Sequence, residues 1–211
     1  MSIFQPRRTM LGVTFVLIAV NVAVYAYTAI LSGNVSVIND DVLATYGQTN
    51  ALVFDGAFWQ LFISLFVHAN IVHIGGNMLF LLIFGLRAEE MFDTEQYLLI
   101  YFLSGLAGNL LTLLYGSDMI SVGASGAIFG LFGAVTIYMR RSIGQSIIGA
   151  LMFAFFLLLI NIGPEINILA HLGGLLVGLL IGYLLGTRSQ RKPSYPYQIT
   201  YSYPNRRLGK R

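Results

Sequence analysis

From Met10 to Leu31 the chain runs for 22 residues without one charged side chain. At 1.5 Å per residue that stretch matches the roughly 30 Å hydrocarbon layer of a bilayer. Hydrocarbon offers no water to backbone N–H and C=O groups, so a segment crossing it has to satisfy them internally, as a helix does. Further apolar stretches follow, and over the 211 residues hydrophobic side chains make up 56% and charged ones only 10%. A soluble domain carries roughly 25% charge. The chain therefore reads as an all-α, polytopic integral membrane protein. A signal peptide has a shorter apolar region and a small-residue cleavage site, so Met10 to Leu31 is expected to be retained as a first span.

The remaining spans follow from where polarity interrupts the apolar runs. Residues 1–9 form a short polar N-terminus, and residues 32–70 are too broken by Gly, Asn and Asp to cross; they are expected to form a long outer loop with Trp59 as an interface anchor. The second helix is expected over Ile71 to Glu90, the third over Gln96 to Tyr115 and the fourth over Gly123 to Met139. The fifth is expected over Ser146 to Ile162 and the sixth from about Asn167 to Leu185, which completes a six-helix membrane domain over residues 10–186. Residues 187–211 are a basic tail expected to be disordered. The fourth helix is short, about 16 residues or 24 Å. With Arg140 and Arg141 at one interface, its Ser125 end lies below the opposite surface, in a recess between helices.

Charge orients this arrangement. In a six-span path every Lys and Arg falls on one side, whereas Asp40, Asp41, Asp55, Asp118 and Glu165 fall on the other. The positive-inside rule makes the basic side, with both termini, cytoplasmic. The expected location is a prokaryotic plasma membrane, with the loop before Ser125 facing outward. The basic residues cluster at loops and are not interleaved with aromatics on one face, which excludes nucleic acid as a partner. Without cysteine there is no disulfide or thiolate chemistry.

Within this apolar frame Gly123-Ala124-Ser125-Gly126 opens the fourth helix. A serine at a helix start has unpaired backbone N–H groups and the positive end of the helix dipole beside its hydroxyl, a place where an oxyanion could be held. Taken alone, the same four residues read more readily as a small-residue helix contact. The three histidines weigh on this choice. His171 is followed by Gly174, Gly178, Gly182 and Gly186, a bare stripe at every fourth residue, and the fourth helix presents Gly126, Gly130 and Ala134 at the same spacing. Two such stripes let backbones approach closely and bring His171 against Ser125. A neutral imidazole is suited to take the proton of a serine hydroxyl, so the two form a candidate dyad. The alternative for His171 is a hydrogen bond across helices. On the second helix His73 and Asn77 share a face and could each offer an N–H to a developing oxyanion, together with the Ser125 amide. His68, five residues earlier, is expected one turn higher at the water boundary. The alternative is packing glue for Asn77 and interfacial roles for the two histidines.

These residues together resemble the rhomboid intramembrane serine proteases: His68, His73 and Asn77 at their spacing, Gly123-Ala124-Ser125-Gly126, and Ala170-His171 with Gly174 and Gly178. The resemblance implies a six-helix core in which Ser125 is the nucleophile and His171 the general base, with no acidic third member. It implies an oxyanion site of His73, Asn77 and the Ser125 amide, and a role for His68 in retaining water. It also implies a gate formed by the fifth helix, with Phe153, Phe155 and Phe156, and a cap over Gly163 to Asn167. Substrates would be single membrane-spanning segments cut near the outer surface, in the lipid bilayer and without cofactor or metal; oligomeric state is left open. Two positions depart from the family pattern. Gln60 follows Trp59 where many members have arginine, and Phe129 stands where some have a tyrosine stacked on the histidine. Glu89 matches a family glutamate that acts as a hydrogen-bonding brace.

Other chemistries fail on residues. There is no His-Glu-x-x-His run for a metalloprotease, no aspartate within a span for an aspartyl protease, and no strand pattern before Ser125 for an α/β-hydrolase elbow. A rhomboid-like binder without catalysis and a histidine-relay transporter remain as other classes. The transporter would be expected to carry intramembrane carboxylates and repeated halves, which are not found.

Overall fold

A computed structural model describes residues 12–142, 148–149, 152 and 166–188. The long helices are α1 (Val13–Ser32), α5 (Ile71–Glu89), α6 (Thr94–Thr112), α7 (Ser125–Ser142) and α8 (Ile168–Arg188). Between α1 and α5 lie the short helices α2 (Asp40–Tyr46), α3 (Asn50–Phe54) and α4 (Gln60–Ile63). Four helices among the described residues are long and apolar enough to cross a membrane: Val13–Ser32, Ile71–Glu89, Thr94–Tyr115 and Ile168–Gly186. They expose Val20, Ile83, Leu103, Leu110 and Leu180 on their outer faces. In water such faces would be a liability, whereas lipid solvates them.

Helix starts follow local capping. Asn70 accepts from the His73 amide at 2.8 Å and starts α5. Asp93 and Gln96 form a reciprocal capping box that starts α6 at Thr94, two residues before the expected Gln96. The fourth long helix begins at Ser125 and continues through Arg140 and Arg141 to Ser142, past the expected end at Met139. Its 18 residues extend about 27 Å. The start of α1 has no side-chain cap of its own. Glu89, from the far end of α5, accepts from the Thr14 amide at 2.6 Å, and Thr14 Oγ1 lies 3.1 Å from Tyr97 Oη. One carboxylate thus ties α1 to α5, and one hydroxyl ties it to α6.

The heart of the bundle is α6, α7 and α8, joined through glycine. β-Carbons placed on Gly174, Gly178 and Gly182 of α8 would overlap the carbonyl oxygens of Gly126, Gly130 and Ala134 of α7. The constant offset of 48 residues means that the two helices run parallel. α6 joins the same seam, since a β-carbon on Gly173 would fall 2.8 Å from Ala107 O, and Ser104 fills the space beside Gly130. The expected α7–α8 stripe is therefore present, and it has a third partner that the spacing did not reveal.

Two expectations are corrected. A short antiparallel pair, β1 (Gln48–Thr49) with β2 (Ile120–Ser121), precedes Ser125 where no strand was expected. Two residues carry no readable alternation. His68 is not at the water boundary. α5 stops at its Asn70 cap, and His68 is completely buried in the turn that precedes it. Most of the expected fifth helix, its gate phenylalanines and most of the cap lie outside the described residues, as do the expected N-terminus and the tail beyond Arg188.

The outer loop is held by polar side chains buried beneath it. Gln48 Nε2 donates to Asn50 Oδ1 at 2.8 Å and to Asn109 O at 2.9 Å. Asn50 Nδ2 donates to Thr112 O at 2.9 Å, and Asn109 Nδ2 donates to Leu61 O at 2.7 Å and Ser64 Oγ at 2.9 Å. Gln60, completely buried, accepts from the Thr49 amide at 3.0 Å and donates to Thr45 O at 3.0 Å and Ala44 O at 3.2 Å. It thus pins α4 to the end of α2. The residue that departs from the family pattern still anchors the loop.

Candidate functional site

Ser125 is the first residue of α7 and His171 sits near the start of the parallel α8, so the glycine seam sets both at the same level. His171 Nε2 lies 2.9 Å from Ser125 Oγ. For Nε2 to accept that hydroxyl proton, the ring must carry its own proton on Nδ1; Nδ1 is buried and meets no hydrogen-bond partner among the described residues. The ring of Phe129, one turn after Ser125, stacks on the imidazole with centroids 4.4 Å apart and planes inclined by 22°. That contact holds the ring's orientation from the side without needing a hydroxyl.

Glycine serves two purposes here. Gly126 brings α7 against α8, where a β-carbon would lie 3.1 Å from Ala170 O. Gly123, grouped by sequence with the packing residues Gly126, Gly130, Gly174 and Gly178, is not one of them. It precedes the helix at φ +119°, a conformation L side chains rarely adopt, and a β-carbon there would fall 2.8 Å from His73 Nε2. Its amide donates to Ser64 O at 2.9 Å, which fixes the turn that delivers Ser125.

His73 and Asn77 lie one turn apart on α5, and both line the same cavity as Ser125 and His171. It has a volume of about 800 Å³ and reaches from Val37 and Asp40 in the outer loop down to Phe84 and Phe132. Asn77 Nδ2 donates to His73 O at 3.0 Å, which leaves its second N–H for the cavity. Because Ser125 opens α7, its N–H has no acceptor within the helix. The His68 ring packs edge-on against His73, with centroids 5.2 Å apart. Its Nδ1 donates to Phe66 O at 3.2 Å, since a carbonyl can only accept, and Nε2 is buried without a hydrogen-bond partner among the described residues. Burial, and to a lesser extent His73 nearby, together lower the His68 pKa to about 3 against the opposing pull of the Phe66 carbonyl, so the ring is neutral.

A nucleophile-type hydroxyl, a neutral base at hydrogen-bonding distance, and amide and imidazole donors around one recess form an arrangement suited to acyl transfer. Residues 55–188 match the Rhomboid domain family model. The chain belongs to the rhomboid family. It is 35% identical over 151 residues to the putative rhomboid protease YdcA of Bacillus subtilis, covering 68% of this chain and 75% of that protein. It is 38% identical over 133 residues to RHOMBOID-like protein 6, mitochondrial, of Arabidopsis thaliana, covering 60% of this chain and 43% of the relative. Rhomboid protease GluP of Bacillus subtilis is 30% identical over 187 residues, covering 82% of this chain and 34% of that protein. This rhomboid thus spans less than half the length of two of these relatives.

The residues that hold this rhomboid's site from behind were not singled out by sequence. Gln48 and Asn50 reach Asn109 and Thr112 across about 60 positions, so no local pattern marks them. Asn167 had a signal, an asparagine directly before an apolar run, which is how an N-cap reads.

Proposed function

We propose that this rhomboid is an intramembrane serine endopeptidase that cleaves single-span membrane proteins with a Ser125–His171 dyad. The observation that carries the reading is the 2.9 Å contact between Ser125 Oγ and His171 Nε2, in the wall of a cavity inside a lipid-exposed bundle. Ser125 Oγ would attack the scissile carbonyl carbon while its proton passes to His171 Nε2. The carbonyl oxygen becomes an oxyanion, received by N–H groups of Ser125, Asn77 and His73. Collapse of this intermediate breaks the C–N bond, and the proton on His171 goes to the leaving amine. Water then attacks the acyl-enzyme with His171 again as base, releasing the acid and restoring Ser125.

No acidic third member is needed for the first step. A carboxylate beside Nδ1 would be costly to ionise in this buried setting. Phe129 and the helix itself orient the ring instead. Arg87 and Arg140 stand at the far ends of α5 and α7 from the dyad. By the positive-inside rule that end faces the cytoplasm and the cavity opens outward, in a multi-pass protein of a prokaryotic plasma membrane.

The test is cleavage of a single-span substrate by purified protein in liposomes, beside Ser125→Ala and His171→Ala. Both variants should fall to background, a loss of about 10⁴-fold or more. Substrate capture without cleavage by the wild type would instead make this a binder of membrane helices.

A further inference from the structure

Asn167 is the last residue before α8 and lies four residues ahead of His171. Its Nδ2 donates to Thr112 Oγ1 at 2.7 Å and to Ser121 Oγ at 2.7 Å. Its Oδ1 accepts from the Ala170 amide at 2.9 Å, and its backbone carbonyl accepts from the His171 amide at 3.2 Å. Three elements therefore meet on one amide: the last turn of α6, strand β2 and the start of α8. Ser121 ends β2 and lies four residues before Ser125. The segment that delivers the nucleophile and the helix that delivers the base are thus joined side chain to side chain.

We infer that Asn167 is a positioning residue of the dyad, clamping the start of α8 to the strand that leads into α7 and so setting the depth of His171 against Ser125. This rests on the protease reading. A helix cap alone would not need an amide, because capping uses only Oδ1, and Ser, Thr or Asp supply that oxygen as well. Asparagine adds two N–H donors at the same reach, and both are used. Aspartate could not replace it: the single proton of Thr112 already goes to Gly108 O at 2.9 Å, so a carboxylate would set lone pair against lone pair. The glycine seam cannot supply this positioning by itself, because it is bare at every fourth residue.

The experiment separates capping from clamping. Asn167→Ser keeps a good cap and removes both donors, whereas Ser121→Ala removes one acceptor from the other side. Three quantities are read in detergent: kcat and KM on a single-span substrate, the rate at which a fluorophosphonate labels Ser125, and the thermal midpoint. In Asn167→Ser, kcat and the labelling rate should fall about 30-fold with KM within twofold, as for a displacement under 1 Å. Ser121→Ala should lose about 10-fold. The double variant should be no slower than Asn167→Ser, because the two substitutions cut the same contact. Losses that multiply, or an Asn167→Ser protein that labels and cleaves like wild type, would overturn the clamp. Where Asn167→Ser does not fold, Ser121→Ala decides alone: an unchanged labelling rate overturns the inference. A wild type that neither cleaves nor labels at Ser125 overturns the protease reading and the clamp with it, which an active wild type beside an equally active variant does not.

Discussion

Gly174→Ala should damage catalysis more than it damages the fold. The added methyl would fall well inside the space of Gly126 O, whereas an ordinary contact to that oxygen is 3.4 Å or longer. The opposing group is backbone of a packed helix, so no side chain can swing aside. α8 has to retreat from α7 by more than about 1 Å at that level, and such overpacking typically costs about 1–3 kcal/mol of stability. His171 is one turn away on the same helix, so the retreat stretches a 2.9 Å contact toward about 4 Å. At that length the hydroxyl no longer passes its proton directly, and a misplacement of about 1 Å costs roughly 100-fold in rate. Gly182→Ala meets Ala134 O in the same way but lies about three turns from His171; it should lose similar stability and much less activity. Gly75→Ala is the control, because nothing lies within 4 Å of its position. It should gain about 0.5–1 kcal/mol, the usual advantage of alanine over glycine in a helix. Labelling of Ser125 by a fluorophosphonate and thermal unfolding in detergent read the two effects separately. Wild-type labelling by Gly174→Ala, or an equal loss in Gly182→Ala, would refute the reasoning that the seam sets the distance between hydroxyl and imidazole.

Asn77→Ala should slow cleavage by roughly 10- to 1,000-fold through loss of one oxyanion donor, with KM little changed; steady-state kinetics with unchanged turnover would remove Asn77 from the mechanism. Gln60→Ala removes a buried side chain with three hydrogen bonds and leaves the Thr49 amide and the Thr45 carbonyl without their partner, while the Ala44 carbonyl keeps only Thr49 Oγ1. Its thermal midpoint should fall by an amount equivalent to about 2–4 kcal/mol, and a midpoint equal to wild type would show that the loop does not depend on it. His68 is neutral when folded with a pKa of about 3, below the ordinary 6.5, so below pH 6.5 the unfolded chain binds the extra proton and stability falls. Between about pH 6.5 and 5 the loss attributable to His68 should approach about 2 kcal/mol, and His68→Gln should flatten that part of the profile. Parallel profiles for the two proteins would count against a buried neutral imidazole.

What could be read from the sequence is what repeats or stands out against an apolar background. The helices α1, α5, α6 and α8 announce themselves as uncharged runs, and their ends shift by only a few residues where a cap such as Asp93 intervenes. The facing of α7 and α8 was visible because glycine recurs every fourth residue on both, and Ser125 and His171 stood out as polar groups at the same end of those stripes. Gly105 and Gly108 of α6 follow no such ladder, so the third side of the seam was not visible. Nor was the network beneath the outer loop. Gln48 depends on Asn50 and Asn109, and the three acquire meaning only once the loop has folded over α6. His68, expected at the water boundary, is completely buried just before the Asn70 cap, and a single histidine in an irregular segment carries no pattern from which its depth could be read.

The ladder between α7 and α8 is self-similar. Sliding one helix along the other by a full turn would set Gly126 against Gly178 and Gly130 against Gly182, glycine on glycine once more, so sterics within the groove resist such a slip only weakly. Like a vernier whose marks are all alike, it specifies how near the two rods lie and leaves open which notch they occupy. Choosing the notch falls to the unlike pieces at its rim, among them Ser104 beside Gly130 and the amide of Asn167.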